Sequence, residues 1–412
     1  MAVTTRARFE TAYLEPADRL KDCAAFDRLV DAARDKTRVT GLTHTFYRYP
    51  ARFSPKFVRQ VIEQFTDPGD LVFDPFMGGG TTLVEALALG RHAVGTDISS
   101  LATFISKAKT TVFSDRELRI LERWARHVDG QINMRTQSSA SPQYQAAGYY
   151  RHLNSADTWR LRKSIEQALT SATQLASTRL QRFGRCVVLR TAQWALDGRK
   201  QLPTVPEFRT NLAAFAREMV DGSKDLSAAV STHHAFGPTS TCYNNSVIGI
   251  EAQDPCGGVP PRLVLTSPPY PGVHVLYHRW QVDGRKETAA PFWISNSLDG
   301  SGAAYYTLGD RHAIDNWTYF EALQGALNSI ARICDRSTTV VQVVAFSNPD
   351  RQLPRYLEVA QNAGLVEISA PHLSDDTDGR LWRTIPNRKW HAKMLGAIPA
   401  SKEVVLFHKK SL

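Results

Sequence analysis

Apolar residues fall along this chain in two alternating rhythms. Short continuous runs at Leu71 to Phe73, Ala93 to Thr96, Thr241 to Ile250, Leu263 to Thr266, Thr338 to Phe346, Leu365 to Ala370 and Glu403 to His408 have the length and β-branched content of buried strands. Between them, Leu83 to Gly90, Tyr319 to Cys334 and Leu353 to Ala363, the last ended by Gly364, space their apolar residues at three and four, as amphipathic helices do. About seven strands alternating with helices predict an α/β fold, a mainly parallel sheet covered by helices on both faces. One stretch breaks the rhythm. From 101 to 235 helical spacing recurs without strands, over Asp115 to Val128, Ser155 to Leu175, Val187 to Leu196 and Val205 to Val220, with a Ser/Gln/Thr-rich loop at Asn133 to Gln145. The pattern predicts three parts: an opening half of the sheet at 1–100, an inserted, mainly helical subdomain at 101–235, and a closing half at 236–412.

Charge sharpens this division. The chain of 412 residues carries a formal net charge of +10, and the inserted stretch holds 20 Lys or Arg against 11 Asp or Glu, nearly all of the surplus. Basic surplus gathered on one segment is the footprint of a phosphate-binding face, although a solvated helical bundle kept soluble by Lys and Arg has the same composition. At 42% hydrophobic the chain can bury a large core. Five scattered cysteines, Cys23, Cys186, Cys242, Cys256 and Cys334, suggest neither a disulfide framework nor a metal site. No apolar run approaches a membrane span, and Met1 to Arg6 lacks the apolar core of a signal peptide, so the expectation is a cytoplasmic protein without a membrane partner.

The first strand runs into Asp74-Pro75-Phe76-Met77-Gly78-Gly79-Gly80-Thr81-Thr82 and then a helix. Glycines in a strand-to-helix turn let the backbone approach a ligand closely. No Gly-Lys-Ser/Thr follows, which excludes a phosphate-cradling P-loop. The second strand ends on Asp97, about twenty residues on, where an acid grips ribose hydroxyls. A glycine turn with a spaced acid fits NAD as well as S-adenosylmethionine; the Asp-Pro-Phe opening and the absence of Gly-x-Gly-x-x-Gly favour the latter. The fourth strand stops at Thr266-Ser267-Pro268-Pro269-Tyr270. Two prolines fix φ and cannot donate hydrogen bonds, so a hydroxyl, rigid carbonyls and an aromatic ring are held together at the carboxyl edge of the sheet, where open α/β folds bind ligands. Such a group suits the exocyclic amine of a nucleobase, whose N–H groups need acceptors. The plainer reading of this tetrapeptide is a proline-rich exit from a strand.

These blocks resemble the amino-methylating DNA methyltransferases, especially the N4-cytosine group with its Thr-Ser-Pro-Pro-Tyr motif. The likeness rests on Asp74 to Thr82 with Asp97, on Thr266 to Tyr270, and on Tyr49-Pro50-Ala51-Arg52-Phe53-Ser54-Pro55, which looks like the segment that closes over the methionine end of the cofactor. Tyr306 to Arg311 and Ile385 to His391 carry a smaller resemblance. Gly79 stands where the family more often has Ser or Thr, and Arg52 replaces a commoner lysine. The resemblance implies a seven-stranded, Rossmann-like methyltransferase sheet with its last strand inserted antiparallel, S-adenosylmethionine as cofactor, and double-stranded DNA as partner, with a separate restriction endonuclease as an optional one. It implies a cofactor site of Tyr49, Phe53, Asp74, Pro75, Phe76, Gly78, Gly80, Thr82, Asp97, Ile98 and Thr266, and a catalytic group of Ser267, Pro268, Pro269 and Tyr270. The insertion, lying between cofactor and catalytic motifs, takes the place of the target-recognition region.

Within that region Arg160, Arg162, Lys163, Arg199 and Lys200 are the phosphate candidates, joined by Arg388 and Lys389 near the end of the chain. Tyr149 and Tyr150 beside Arg151 read either as a base wedge or as core packing. His274, Tyr277, His278, Arg279 and Trp280 follow the catalytic loop closely enough to line a base pocket or to serve as structure. Pro255-Cys256 precedes the fourth strand instead of following it, which argues against the thiolate chemistry of C5-cytosine methylation. Ser267 favours cytosine N4 over adenine N6 as the target. An RNA amino-methyltransferase and an inactive nucleic-acid-binding homologue remain the alternatives.

Overall fold

The computed structural model describes residues 20–49, 53–136, 142–271, 279–282, 286–297, 308, 317–368, 379–384 and 402–411. Two helices, α1 (Cys23–Arg34) and α2 (Pro55–Phe65), lead into strand β1 (Leu71–Asp74). Then follow α3 (Thr81–Ala88), β2 (His92–Thr96) and α4 (Ser100–Lys109). Helices α5 (Asp115–His127), α6 (Pro142–Ala146), α7 (Trp159–Thr173), α8 (Thr178–Leu196) and α9 (Val205–Ser231) make up the insertion. The chain resumes with β3 (Ser240–Tyr243), β4 (Leu263–Thr266), β5 (Trp280–Val282), β6 (Lys286–Thr288) and α10 (Ala290–Ser295), and closes with α11 (Trp317–Ile333), β7 (Thr339–Val344), α12 (Pro349–Asn362), β8 (Leu365–Glu367), β9 (Leu381–Thr384) and β10 (Lys402–Lys410).

The main sheet has the order β3-β2-β1-β4-β7-β10-β8. Strands β3, β2, β1, β4 and β7 pair in parallel, whereas β10 lies antiparallel between β7 and β8. This is the expected Rossmann-like methyltransferase sheet with an antiparallel last strand, plus an eighth strand, β9, that pairs with β10 beside the main path. Strand order reverses between β1 and β4: from β1 the chain winds outward to β3, then returns to β1's other side as β4. The carboxyl ends of those two strands therefore flank the switch-point crevice of an open α/β sheet.

Local chemistry accounts for the element ends. Ser114 and Thr204 each cap a helix in a reciprocal box with Glu117 and Glu207, so α5 and α9 start where their backbone N–H groups find acceptors. Helix α8 begins nine residues before the predicted Val187, because Ser177 supplies the cap. Helix α9 runs past Val220 through Gly222, whose missing side chain lets the backbone meet Leu42: a Cβ there would lie 2.2 Å from the Leu42 carbonyl oxygen. The predicted strand at Thr241 to Ile250 ends early, at Tyr243. Beyond it Asn244 turns to donate to the carbonyls of Asp97 and Ile98, each at 3.0 Å, and Gly249 takes a left-handed φ of 82°.

The apolar core has three main bodies. Two lie against opposite faces of the sheet, one joining Phe57, Val61, Leu83, Leu263, Val341 and Phe407, the other Phe73, Val264, Tyr270, Tyr319, Leu327 and Tyr356. The third fills the helical insertion with Leu121, Phe183, Val187, Phe208 and Leu212, and includes Trp280, Val282, Phe292 and Trp293 from beyond the Ser-Pro-Pro-Tyr strand end. Trp280 donates its indole N–H to the Tyr47 hydroxyl at 3.0 Å, so chain from both sides of the insertion seals that core. Among the described residues no helix is long and apolar enough to cross a membrane.

Candidate active site

The glycine turn after β1 is built by its backbone and braced from below. Gly78 and Gly80 take positive φ of 45° and 70°, and a Cβ on Gly80 would stand 2.6 Å from the Ser106 hydroxyl. Tyr49 packs on the turn: a Cβ on Gly79 would come within 3.0 Å of the Tyr49 Cβ, which explains why glycine stands there instead of Ser or Thr. Three side chains hold the loop. Asp97 accepts from the Gly78 N–H at 3.0 Å, Ser106 donates to the Gly78 carbonyl at 3.1 Å, and the fully buried ammonium of Lys109 donates to the Gly79 carbonyl at 2.7 Å. Sequence reasoning missed Ser106 and Lys109; the signal was a lysine four residues after Ile105, in the buried register of α4.

A hydrogen bond joins the two motifs. Thr266, at the end of β4, donates to the Asp74 carboxylate at the end of β1 at 2.8 Å, bridging 192 positions of sequence. Asp74 also accepts from the Phe76 N–H at 3.2 Å. Burial pushes its carboxyl up to about 6, against the lowering effect of these hydrogen bonds. Asp97 also rises to about 6 by burial, offset in part by the N–H groups of Ser99 and Gly78. Asp97 as a residue is half-buried, and each carboxylate oxygen, with one backbone N–H on it, has a further lone pair to offer a ligand.

Burial sorts the remaining candidates. Tyr49, Phe76, Gly78, Asp97, Ile98, Ser267 and Pro269 are half-buried around the sheet edge, as lining residues of an open crevice are. Phe53, Asp74, Pro75, Gly80, Thr82, Thr266 and Pro268 are buried and act as support. Phe53 packs on Phe57 with ring centroids 6.3 Å apart. Positive φ at the turn, a half-buried acid just past β2 and a crevice at the switch point fit the nucleoside and amino-acid halves of S-adenosylmethionine.

The Ser-Pro-Pro-Tyr group is tied down on its far side. Tyr319 donates to the Pro269 carbonyl at 2.9 Å. The Tyr270 ring is 9% exposed, and its hydroxyl meets Ser267 Oγ at 3.1 Å and the Glu403 carboxylate of β10 at 2.5 Å. Arg383 of β9 in turn donates to Glu403 at 2.8 Å. Glu403 did not stand out in sequence, since 136 positions separate it from Ser267.

The basic candidates fare unequally. Arg160 and Lys200 are exposed. Arg162 is held by the buried Glu166, Lys163 donates to the Met134 carbonyl at 2.7 Å, and Arg199 donates to the Trp194 carbonyl at 2.6 Å. Tyr149 and Tyr150 are core residues, 7% and 3% exposed, packed on Tyr144 and Trp293, which decides between the two readings for core packing: apolar burial claims both rings. Pro50 to Arg52, His274, Tyr277, His278, Arg388 and Lys389 lie outside the described residues.

Comparison with known proteins converges on the same region. Residues 28–107 match the N6/N4 family described as DNA methylase. Over this stretch the chain is similar to the amino-methylating DNA methyltransferases. Type II methyltransferase M.MvaI from Kocuria varians is 38% identical over 109 residues, 24% of this chain and 24% of that protein. Type II methyltransferase M.MjaII from Methanocaldococcus jannaschii is 33% identical over 95 residues, 23% of this chain and 17% of its own length. DNA adenine methyltransferase YhdJ from Escherichia coli is 28% identical over 105 residues, 26% and 36% of the two chains. The chain thus spans about a quarter or less of the length of the first two relatives. The rRNA methyltransferase aviRa from Streptomyces viridochromogenes superposes at a TM-score of 0.27 with 10% identity, covering 76% of this chain and 80% of that one, too loosely to bear on function. The family is S-adenosylmethionine dependent, in keeping with the fit of the glycine turn and Asp97.

Proposed function

We propose that this methyltransferase-family protein methylates the exocyclic N4 amine of cytosine in duplex DNA. The observation that carries the reading is the Thr266–Asp74 hydrogen bond, which joins the Ser-Pro-Pro-Tyr strand end to the glycine-turn strand end at the switch point. S-adenosylmethionine, when bound, supplies an electrophilic methyl group. Gly78 and Gly80 admit the methionine end, Asp97 accepts from the ribose hydroxyls, and Tyr49 covers the turn. An amine buried in a base stack cannot reach such a crevice, so the target base is extruded from the duplex. The Ser267 hydroxyl and the Pro268 carbonyl accept the amine's N–H bonds, turning its lone pair out of conjugation with the ring, and Tyr270 supports the base. No covalent intermediate is required; positioning and electrostatics supply the rate. Arg160 and Lys200 on the insertion contact phosphates.

Adenine N6 is the second reading, supported by the similarity to a DNA adenine methyltransferase. A cytoplasmic role beside a separate restriction endonuclease belongs to the same reading; the similar proteins are named type II methyltransferases. The test is methyl transfer from labelled S-adenosylmethionine to unmethylated genomic DNA and, in parallel, to total RNA, read by nucleoside mass spectrometry. N4-methylcytosine, abolished by Tyr270→Ala, is the expected result. N6-methyladenine moves the target base, and label confined to RNA overturns the substrate.

A further inference from the structure

We infer that Glu403 is a positioning residue that makes the Ser267 hydroxyl a one-way hydrogen-bond acceptor, selecting an exocyclic amine over a ring carbonyl. The inference rests on the proposed transfer reaction and names what that site tolerates. It follows from counting protons along a buried chain of groups. Glu403 is the second residue of β10, beside β7, which itself pairs with β4. Its side chain is 6% exposed and that of Arg383 11%, with Arg383 Nε and Nη2 donating to Oε2 at 2.8 and 2.6 Å. A carboxylate offers only lone pairs, and Oε1 takes the phenol proton of Tyr270 at 2.5 Å.

A phenol has one proton. With that proton given to Glu403, the Tyr270 oxygen can act toward Ser267 only as an acceptor, and the serine must donate across the 3.1 Å between them. Serine too has one proton, so Oγ presents only lone pairs to the crevice. Cytosine N4 and adenine N6 bring N–H donors to those lone pairs. Thymine O4 and guanine O6 bring another lone pair and are repelled. A base edge is thus sorted by a carboxylate two hydrogen bonds away. Gln at 403 would offer both a donor and an acceptor, freeing the phenol to reverse and the serine to point its proton outward.

The experiment uses the full chain with labelled S-adenosylmethionine and unmethylated duplex DNA. It compares wild type with Glu403→Gln, Tyr270→Phe and the double variant, and measures kcat, KM for DNA, cofactor Kd by calorimetry and melting temperature. Expected for Glu403→Gln is a kcat lowered about tenfold to a hundredfold, less than the roughly hundredfold to thousandfold that follows outright loss of a preorganised donor because Glu403 acts through the phenol, with KM and cofactor Kd within about twofold of wild type. Tyr270→Phe, which keeps the ring and its packing, should lose a similar factor, and the double variant no more than Tyr270→Phe alone, because Glu403 acts through the phenol. Wild-type kcat in either single variant, or a double-variant loss equal to the product of the two single losses, overturns the inference. Transfer absent from the wild type defeats the proposed function and this inference with it, whereas transfer present and undiminished in Glu403→Gln defeats the inference alone.

Discussion

Asp97 shows how burial and function pull on one residue. Its carboxyl is raised from 3.8 to about 6 by burial, and in the proposed cofactor site it accepts from ribose hydroxyls, for which only the ionised form has all its acceptor lone pairs. Cofactor affinity should therefore be constant above pH 7 and fall as pH drops through 6, by about tenfold per unit below it. Calorimetric titration between pH 5 and 8 checks this. Asp97→Asn should bind more weakly at pH 8 and lose the Asp97 part of the slope, which separates it from Asp74 titrating in the same range. The sign for stability is the opposite. Both carboxyls are raised above 3.8, so their contribution to stability without cofactor is full below pH 4 and lost as pH rises through 6.

Among elements, the β1–α3 turn is the most sharply constrained. Gly80 caps α3 in a left-handed conformation and abuts Ser106, so Gly80→Ala meets both a backbone penalty and a 2.6 Å overlap. The expected result is a loss of about 1–3 kcal/mol in unfolding free energy together with weaker cofactor binding, measured by denaturant titration and calorimetry. An unchanged cofactor Kd would detach the turn from the cofactor site. Why glycines stand here was legible in sequence, since a strand, three glycines and a helix imply a tight turn. Its bracing by Ser106 and Lys109 was not, because Ser100–Lys109 carried no predicted helix, and which of its side chains meet the turn is decided by tertiary packing.

At the scale of the whole molecule, the basic surplus of the insertion divides between structure and surface. Arg162, Arg190 and Lys224 are matched by Glu166, Glu218 and Glu122, whereas Arg160 and Lys200 project from the surface. DNA affinity should fall steeply with salt, and Arg160→Ala or Lys200→Ala should each reduce the log–log slope by about one, weakening binding alike on all sequences. Fluorescence anisotropy across a salt series measures it. A slope unchanged in both variants would move the phosphate contacts elsewhere on the protein.

The sequence by itself determined the alternation of strands and helices, the glycine turn with its acid, the Ser-Pro-Pro-Tyr strand end and the helical character of the insertion. Each is written in residues that are neighbours along the chain, where periodicity and φ restrictions act. Tertiary structure decided what long separation hides: that Thr266 reaches Asp74, that Tyr149 and Tyr150 are core, that Trp280 to Trp293 pack inside the insertion, and that Glu403 anchors Tyr270. Those contacts depend on strand order and register, which bring together side chains more than a hundred positions apart, and no local pattern encodes which distant partner a buried polar group will find.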